Sequence, residues 1–219
     1  MEEWLVPFHM KQLAGKSTKF FGYDQQGIVD YKFDHLGFRT GNSEGQWAIN
    51  LIGNSISFGI GLDYSLTFGS ILSKNLKRKL NNVSYGCYLH ENHDYLTNIK
   101  QLTKYGNSND IFIIQINNLD RYRIDENLVV TGNDSTFCKA RFLDYFDQIT
   151  ALLKNKRYIF LYWDDKSYDL PSSITDQFLI HNKMHLDSSL SGYTDTFGIK
   201  SNATIAKILT LTACSIQQV

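Results

Sequence analysis

The chain has 219 residues, 42% of them hydrophobic, and its 22 basic residues balance 22 acidic ones. A chain of this length and apolar content can bury a substantial core, in one large domain or two small ones. Because the formal net charge is zero, no overall field favours nucleic acid or an anionic membrane as a partner, and both partner classes are excluded from the prediction.

The cysteines and the N-terminus bear on compartment and cofactors. The three cysteines are widely spaced and form no CxxC pair, so neither a disulfide framework nor a zinc site is predicted. The first residues lack the basic and apolar regions of a signal peptide, and no apolar run is long enough to cross a bilayer. We therefore expect a cytoplasmic protein without a metal or other cofactor.

The chain divides into two regions of different character. Residues 1–46 hold short aromatic clusters between Gly and Asp turns, which predicts an N-terminal β-hairpin extension packed on the main domain. Residues 47–219 form that main domain. Apolar spacing there predicts strands over 48–53, 82–86, 110–116 and 157–163, and helices over about 65–80, 94–105, 137–153 and 200–212.

The order of these segments indicates the fold class. Strands alternate with helices, and the strand at 110–116 is almost continuously apolar, as expected for a strand that is covered on both faces. The sequence therefore predicts an α/β fold, a three-layer α/β/α sandwich with a parallel, flavodoxin-like sheet of about five strands.

Small or amide side chains follow three of the predicted strands. They are Gly53-Asn54-Ser55, Gly86, and Gln115-Ile116-Asn117-Asn118. Because the carboxyl ends of parallel strands meet at one edge of a sheet, we expect a serine hydroxyl, a glycine N–H and an asparagine amide to lie close together. Donors aimed at an oxygen that gains negative charge can each stabilise an acyl-transfer transition state by roughly 3–4 kcal/mol. The pattern predicts a nucleophile with an oxyanion hole.

These residues resemble the sequence blocks of the SGNH or GDSL hydrolases, a family of esterases, lipases, thioesterases and carbohydrate acetylesterases. Residues 53–61 resemble the family's Gly-Asp-Ser block, Gly86 its oxyanion-hole glycine, and residues 115–118 its Gly-x-Asn-Asp block, while residues 31–39 are similar to a lead-in found in some members. The resemblance implies that Ser55 forms an acyl-enzyme, and that the N–H groups of Ser55 and Gly86 and the Asn117 amide hold the oxyanion.

The family's last block, Asp-x-x-His, is degenerate in this chain. Aligned on the closing turn, Thr196 stands where the histidine is expected, and the nearest substitute is His185, about eleven residues earlier. The resemblance then makes His185 the candidate base, with Asp187 or Asp195 as its orienting acid.

Two further departures lie near the nucleophile. Asn54 replaces the family's aspartate, which keeps hydrogen-bonding capacity but loses a charge. Gln115 replaces a glycine and is expected to crowd the site.

Each candidate also has a purely structural interpretation. Ser55 could be a helix N-cap, Gly86 a turn glycine, and Asn117 and Asn118 caps of the chain after a strand. Three matches at strand ends favour the functional interpretation of Ser55.

A second cluster has the residue types of a metal site: His90, Glu91, His93 and Asp94. Its histidines stand three apart with no third ligand evident, whereas Glu91 and Asp94 suit a helix N-terminus. We interpret the cluster as helix capping and predict no metal, although His90 or His93 could act as a displaced base.

Three functional hypotheses follow. The first is a hydrolase or acyltransferase that acts on a small-molecule acyl or glycan substrate through Ser55. The second is a catalytically degenerate binding or accessory protein in a biosynthetic pathway. The third is a metal-dependent or lyase-type enzyme that uses His90 and His93. A carrier protein or a second copy of the chain is an open partner for each.

Overall fold

The computed structural model describes residues 8–21, 27–41, 43–86, 91–117, 121–125, 128–131, 135–162, 171–175 and 199–216. Its N-terminal part is a short helix, α1 (Phe8–Lys11), and an antiparallel sheet of β1 (Ser17–Phe21), β2 (Ile28–Phe33) and β3 (Arg39–Thr40) in that order. Every second side chain of β2 is buried, because one face of this sheet rests on the core. The predicted N-terminal hairpin is confirmed, with a short third strand added.

The rest of the described chain alternates strands and helices. The strands are β4 (Ala48–Ile52), β5 (Lys79–Asn82), β6 (Ile111–Gln115), β7 (Arg121–Asp125), β8 (Leu128–Thr131) and β9 (Arg157–Leu161). The α-helices are α2 (Ser55–Phe58), α3 (Phe68–Leu76), α4 (Leu96–Tyr105), α5 (Ser135–Leu153), α6 (Ser172–Thr175) and α7 (Ile199–Ile216), with 3-10 turns at Tyr64–Leu66 and Asn92–Tyr95. None of these described helices has both the length and the apolar character needed to cross a membrane.

A parallel sheet of four strands, ordered β5-β4-β6-β9, forms the centre of the fold, and β7 pairs with β8 as a separate antiparallel ribbon. Every residue of β4 and of β6 is buried, as expected for inner strands between two helical layers. The predicted α/β/α sandwich is confirmed, and the described part of its sheet has four strands where about five were predicted.

Helices cover both faces of this sheet. Ile49 and Leu51 of β4 pack with apolar side chains of α3 and α7, whereas Ile52 packs with those of α4 and α5. The N-terminal sheet belongs to the second of these layers, since Tyr31 of β2 lies in the same apolar cluster as Ile52. A domain boundary near residue 46 stays a prediction.

The helix predicted over 65–80 is wrong at its C-terminal end. α3 stops at Leu76, because Lys77 adopts the left-handed conformation with a φ of 52°, and Leu80 lies in β5 instead. Leu72, Leu76 and Leu80 recur every four residues, so apolar spacing alone extended the prediction through the turn.

The strand predicted over 82–86 starts three residues earlier, at Lys79. Beyond β5 the chain stays beside the end of β4, because the Tyr85 amide donates a hydrogen bond to the Gly53 carbonyl oxygen (2.8 Å). This pairing carries Gly86 to the C-terminal edge of the sheet.

Replacing Lys77 with glycine is expected to stabilise the protein by about 1 kcal/mol, because a residue with a Cβ loses about that much in the left-handed conformation. Lys77 is exposed, so few contacts are lost with its side chain. Chemical denaturation measures the change. Lys74→Gly, at an exposed position inside α3, is the matched control and should destabilise the protein by about 1 kcal/mol. Equal losses of stability at both positions would contradict the left-handed conformation of Lys77.

Candidate active site

The turn after β4 carries Ser55, the predicted nucleophile. α2 begins at Ser55 and ends where Gly59 turns left-handed, with a φ of 78°. Gly53 stands between β4 and this helix, and a Cβ on it would lie 2.6 Å from Ser57 Oγ and 2.7 Å from Gln115 Cβ. Only glycine therefore fits at position 53, where the strand passes into the turn.

Asn54 caps the helix that Ser55 begins. Its backbone is extended, and its Oδ1 accepts a hydrogen bond from the Ile56 amide (3.0 Å). The interpretation of Ser55 as the N-cap is therefore wrong, because the preceding residue holds that position. Ser55 is 1% exposed, and its Oγ has no hydrogen-bond partner in the described part of the chain. A buried hydroxyl without a partner costs about 1–3 kcal/mol, so local structure does not explain this serine.

The Asn117 carboxamide meets this turn. Asn54 Nδ2 donates to Asn117 Oδ1 (2.8 Å), and Asn117 Nδ2 donates to the Tyr95 hydroxyl (2.7 Å). The Ile56 amide sets the orientation of both carboxamides. Because a backbone amide can only donate, Asn54 turns its oxygen to Ile56 and its nitrogen to Asn117. Asn117 consequently presents its own amide nitrogen, the atom that can donate to an oxyanion, on the side of Tyr95.

Gln115, which was expected to crowd the site, is bonded to the turn. Its Oε1 accepts hydrogen bonds from the Asn54 amide (3.3 Å), the Ser57 amide (3.3 Å) and the Ser57 hydroxyl (2.6 Å). The side chain is fully buried, and the missing Cβ of Gly53 leaves the space that it fills. The available signal was an amide at the end of the strand next to β4.

Gly86 lies against the same turn. A Cβ on it would lie 3.1 Å from the Phe58 ring, so α2 packs directly on this glycine. Within the described residues, the amides of Ser55 and Gly86 donate no hydrogen bond. The structure thus gathers a buried hydroxyl, two unused backbone donors and the Asn117 amide around one turn, and donors of this kind can stabilise an oxyanion.

The segment before α4 supports Asn117. Asn92 Oδ1 accepts a hydrogen bond from the Asn117 amide (2.7 Å), and Asn92 Nδ2 donates to the Asn117 carbonyl oxygen (3.3 Å). Tyr95 holds the side chain, so both the backbone and the carboxamide of Asn117 are fixed. Sequence reasoning missed Asn92 and Tyr95, because neither stands at the end of a strand.

No family model and no curated protein matches the sequence. Among solved structures, a protein described as lipolytic and of the G-D-S-L family, from Desulfitobacterium hafniense DCB-2, matches with a TM-score of 0.52 and 9% identity, over 76% of this chain and 99% of that one. A carbohydrate esterase matches with a TM-score of 0.51 and 12% identity, over 83% of this chain and 68% of that one. The chain has the SGNH/GDSL hydrolase fold.

In this SGNH-type fold, Glu91 and Asp94 cap a helix, as predicted. The Glu91 side chain accepts from the Asp94 amide, and Asp94 Oδ2 accepts from the Glu91 amide (2.9 Å), which forms a capping box. Glu91 Oε1 and Oε2 also accept hydrogen bonds from Arg141 Nη2 of α5, at 2.8 and 2.7 Å. Both acidic side chains therefore have structural roles.

His93 is bonded to α5. Its Nε2 lies 3.0 Å from Asp144 Oδ2, and this hydrogen bond lowers the pKa of the Asp144 carboxyl. Among the residues that the structure describes, no three His, Cys, Asp or Glu side chains are grouped so that they could hold a metal ion. A role for His93 as a displaced base stays a prediction.

Several sequence-predicted site residues lie outside the described residues. They are the candidate base His185, its candidate orienting acids Asp187 and Asp195, and two supporting residues, His90 and Asn118. The identity of the base therefore stays a prediction from the sequence.

Proposed function

We propose that this chain is an SGNH-fold hydrolase or acyltransferase that acts on a small ester, an acylated sugar or an acyl thioester. Ser55 Oγ attacks the carbonyl carbon while His185 accepts the Oγ proton. The N–H groups of Ser55 and Gly86, with the Asn117 amide, hold the oxyanion. The leaving alcohol or thiol then takes the proton, and the acyl group stays on Ser55 until water or another acceptor removes it.

The hydroxyl of Ser55, which is buried and has no hydrogen-bond partner among the described residues, carries this proposal. A serine at the start of a helix ordinarily serves as a cap, but Asn54 has that role here. Burial without a hydrogen bond costs free energy, and a catalytic role is one explanation for a buried polar group without a partner. The amides of Ser55 and Gly86, which donate no hydrogen bond within the described part of the chain, support the same conclusion, since a substrate oxygen can satisfy them.

A second candidate is a binding or accessory function without hydrolysis. Thr196 stands at the position where a histidine is expected, and a serine hydroxyl without a base is a poor nucleophile at neutral pH. The carbohydrate esterase of similar fold is itself described as having divergent catalytic and non-catalytic binding functions. In this case the same turn would hold an acyl or glycan compound, free or on a carrier protein, without cleaving it.

Labelling with a fluorophosphonate probe tests the proposal. The probe forms a bond between its phosphorus and an activated serine oxygen and releases fluoride, while the serine loses its proton, so the intact mass should rise by the mass of one probe less HF. We expect labelling of the wild type and none of Ser55→Ala, because only Ser55 supplies the reacting oxygen.

Ser65→Ala is the matched control, since Ser65 is exposed and bonds to Asp63 outside the turn. It should label as the wild type does. An unlabelled wild type that also turns over neither esters nor thioesters would contradict the hydrolase and favour the binding function. Labelling that survives in Ser55→Ala would show that another residue reacts.

A further inference from the structure

Arg39 of β3 is a buried cation that the proposed mechanism does not use. It is 1% exposed, and the described part of the chain provides no ion pair for it. Burial lowers the pKa of its guanidinium. A buried charge is kept only where specific partners compensate it, so the partners of Arg39 indicate what it does.

Those partners are carbonyl groups of the loop that closes α2. Arg39 Nη1 donates to the Phe58 carbonyl oxygen (3.0 Å) and the Gly59 carbonyl oxygen (2.5 Å), and Nη2 donates to the Leu62 carbonyl oxygen (2.5 Å). The guanidinium also stacks on the Tyr31 ring, 4.0 Å from its centroid. One side chain from the N-terminal sheet therefore binds three carbonyls of the loop over residues 58–62.

Tyr31 of β2 also binds this loop, by accepting a hydrogen bond from one of its amides. Its hydroxyl accepts a hydrogen bond from the Gly61 amide (2.5 Å). Tyr31 and Arg39 together thus satisfy one amide and three carbonyl oxygens of this loop.

α2 needs this support because it is a single turn of four residues. Helix nucleation is unfavourable, and a turn of this length is not stable by itself. The last carbonyls of any helix lack partners within it, and here Arg39 Nη1 donates to the Phe58 carbonyl oxygen, while Asn82 Nδ2 donates to the Ser57 carbonyl oxygen.

The loop is bonded directly to the predicted nucleophile. The Ser55 carbonyl oxygen accepts hydrogen bonds from the amides of Gly59 (3.0 Å) and Ile60 (3.1 Å). Gly59 therefore binds Arg39 through its carbonyl and Ser55 through its amide. A displacement of the loop must move the backbone that carries Ser55 Oγ.

We propose that Arg39, assisted by Tyr31, is a positioning residue for Ser55: the N-terminal sheet fixes the nucleophile turn by binding the loop over residues 58–62. The consequence for reactivity rests on the proposed function, whereas the consequence for the order of the turn does not. Lysine cannot replace arginine here, because an ammonium is a point donor that does not match three carbonyls presented to the two ends of a planar guanidinium.

The test compares Arg39→Lys with Arg78→Lys. Arg78 is also buried, donates to the Asn109 carbonyl oxygen (2.7 Å) and stacks on Trp47, but it precedes β5, at the opposite edge of the sheet from Ser55. Two quantities are measured: hydrogen exchange of peptides covering residues 54–62, and the saturation kinetics of fluorophosphonate labelling.

We expect Arg39→Lys to accelerate exchange at least 10-fold in residues 54–62 while peptides from β6 and β9 keep their protection. The maximal labelling rate should fall at least 10-fold at an unchanged half-saturating probe concentration. Arg78→Lys should leave exchange in 54–62 and the labelling rate within twofold of the wild type. A loss of general stability alone would raise exchange throughout the sheet.

Unchanged exchange in residues 54–62 of a folded Arg39→Lys overturns the inference, whatever the labelling result. If the wild type is not labelled and turns over neither esters nor thioesters, the proposed function fails while the exchange data still decide the positioning role. Should Arg39→Lys not fold, Tyr31→Phe removes only the hydroxyl that binds Gly61 and should accelerate exchange in 54–62 by about threefold; no change there also overturns the inference.

Discussion

Asn117→Asp is expected to lower the turnover of an activated ester or acyl thioester by about 10²–10³-fold, the usual loss when one oxyanion donor is removed. Aspartate has the shape of asparagine and can still accept the hydrogen bond from Asn54 Nδ2. It has no donor to offer the oxyanion, and its negative charge opposes the charge that develops there. Initial rates, measured together with the melting temperature of each variant, test this expectation.

The control for Asn117→Asp is Asn75→Asp, because Asn75 is an exposed amide on α3 that bonds only to Thr210 of α7 (3.2 Å) among the residues described. It carries the same change of charge and should keep wild-type rates. If Asn117→Asp melts as the wild type does and turns over substrate within threefold of it, Asn117 does not hold the oxyanion.

Gly53→Ala is expected to reduce the free energy of unfolding by about 2–3 kcal/mol, the upper range for adding a methyl group to a packed site. The new Cβ would lie 2.6 Å from Ser57 Oγ and 2.7 Å from both Cβ and Oε1 of Gln115. The side chain of Gln115 cannot retreat without giving up its three hydrogen bonds to the turn. Urea denaturation measures the loss.

A double-mutant cycle identifies the cause of that loss. Gln115→Gly removes two of the three atoms that the Cβ at position 53 would meet, Cβ and Oε1 of Gln115, so it should be less harmful in the Gly53→Ala background than in the wild type. We expect a coupling of at least about 1 kcal/mol, which is typical for residues in contact. Strict additivity of the two changes would show that the effect of Gly53→Ala arises elsewhere.

Positions at the ends of strands could be predicted from the sequence, because they depend on periodicity and topology alone. Ser55 and Asn117 follow apolar runs and Gly86 follows a short predicted strand, and parallel strands must bring such positions to one edge. The end of α3 could not be predicted in this way, since Leu80 continues the helical spacing although Lys77 has already turned the chain.

Side-chain partners at large sequence separation were beyond prediction. Gln115 and Ser57 are 58 positions apart, and Arg39 reaches a carbonyl 23 positions away. Periodicity gives the face of an element on which a side chain lies but not the atom that it binds. The sequence therefore carried no sign that the Gln115 oxygen accepts hydrogen bonds from the turn.

Three hydrogen bonds link Ile56, Asn54, Asn117 and Tyr95 in a chain, and in each of them the residue named first donates to the next. Each carboxamide has one donor end and one acceptor end. Asn54 accepts a hydrogen bond from the Ile56 amide with its oxygen and donates one to Asn117 with its nitrogen. An aspartate at position 54 would offer an acceptor at both ends and would favour a rotated Asn117, with its nitrogen towards position 54. The NH2 group that asparagine has in place of a carboxylate oxygen of aspartate at position 54 thus specifies which end of the Asn117 carboxamide, 63 positions away, faces Tyr95.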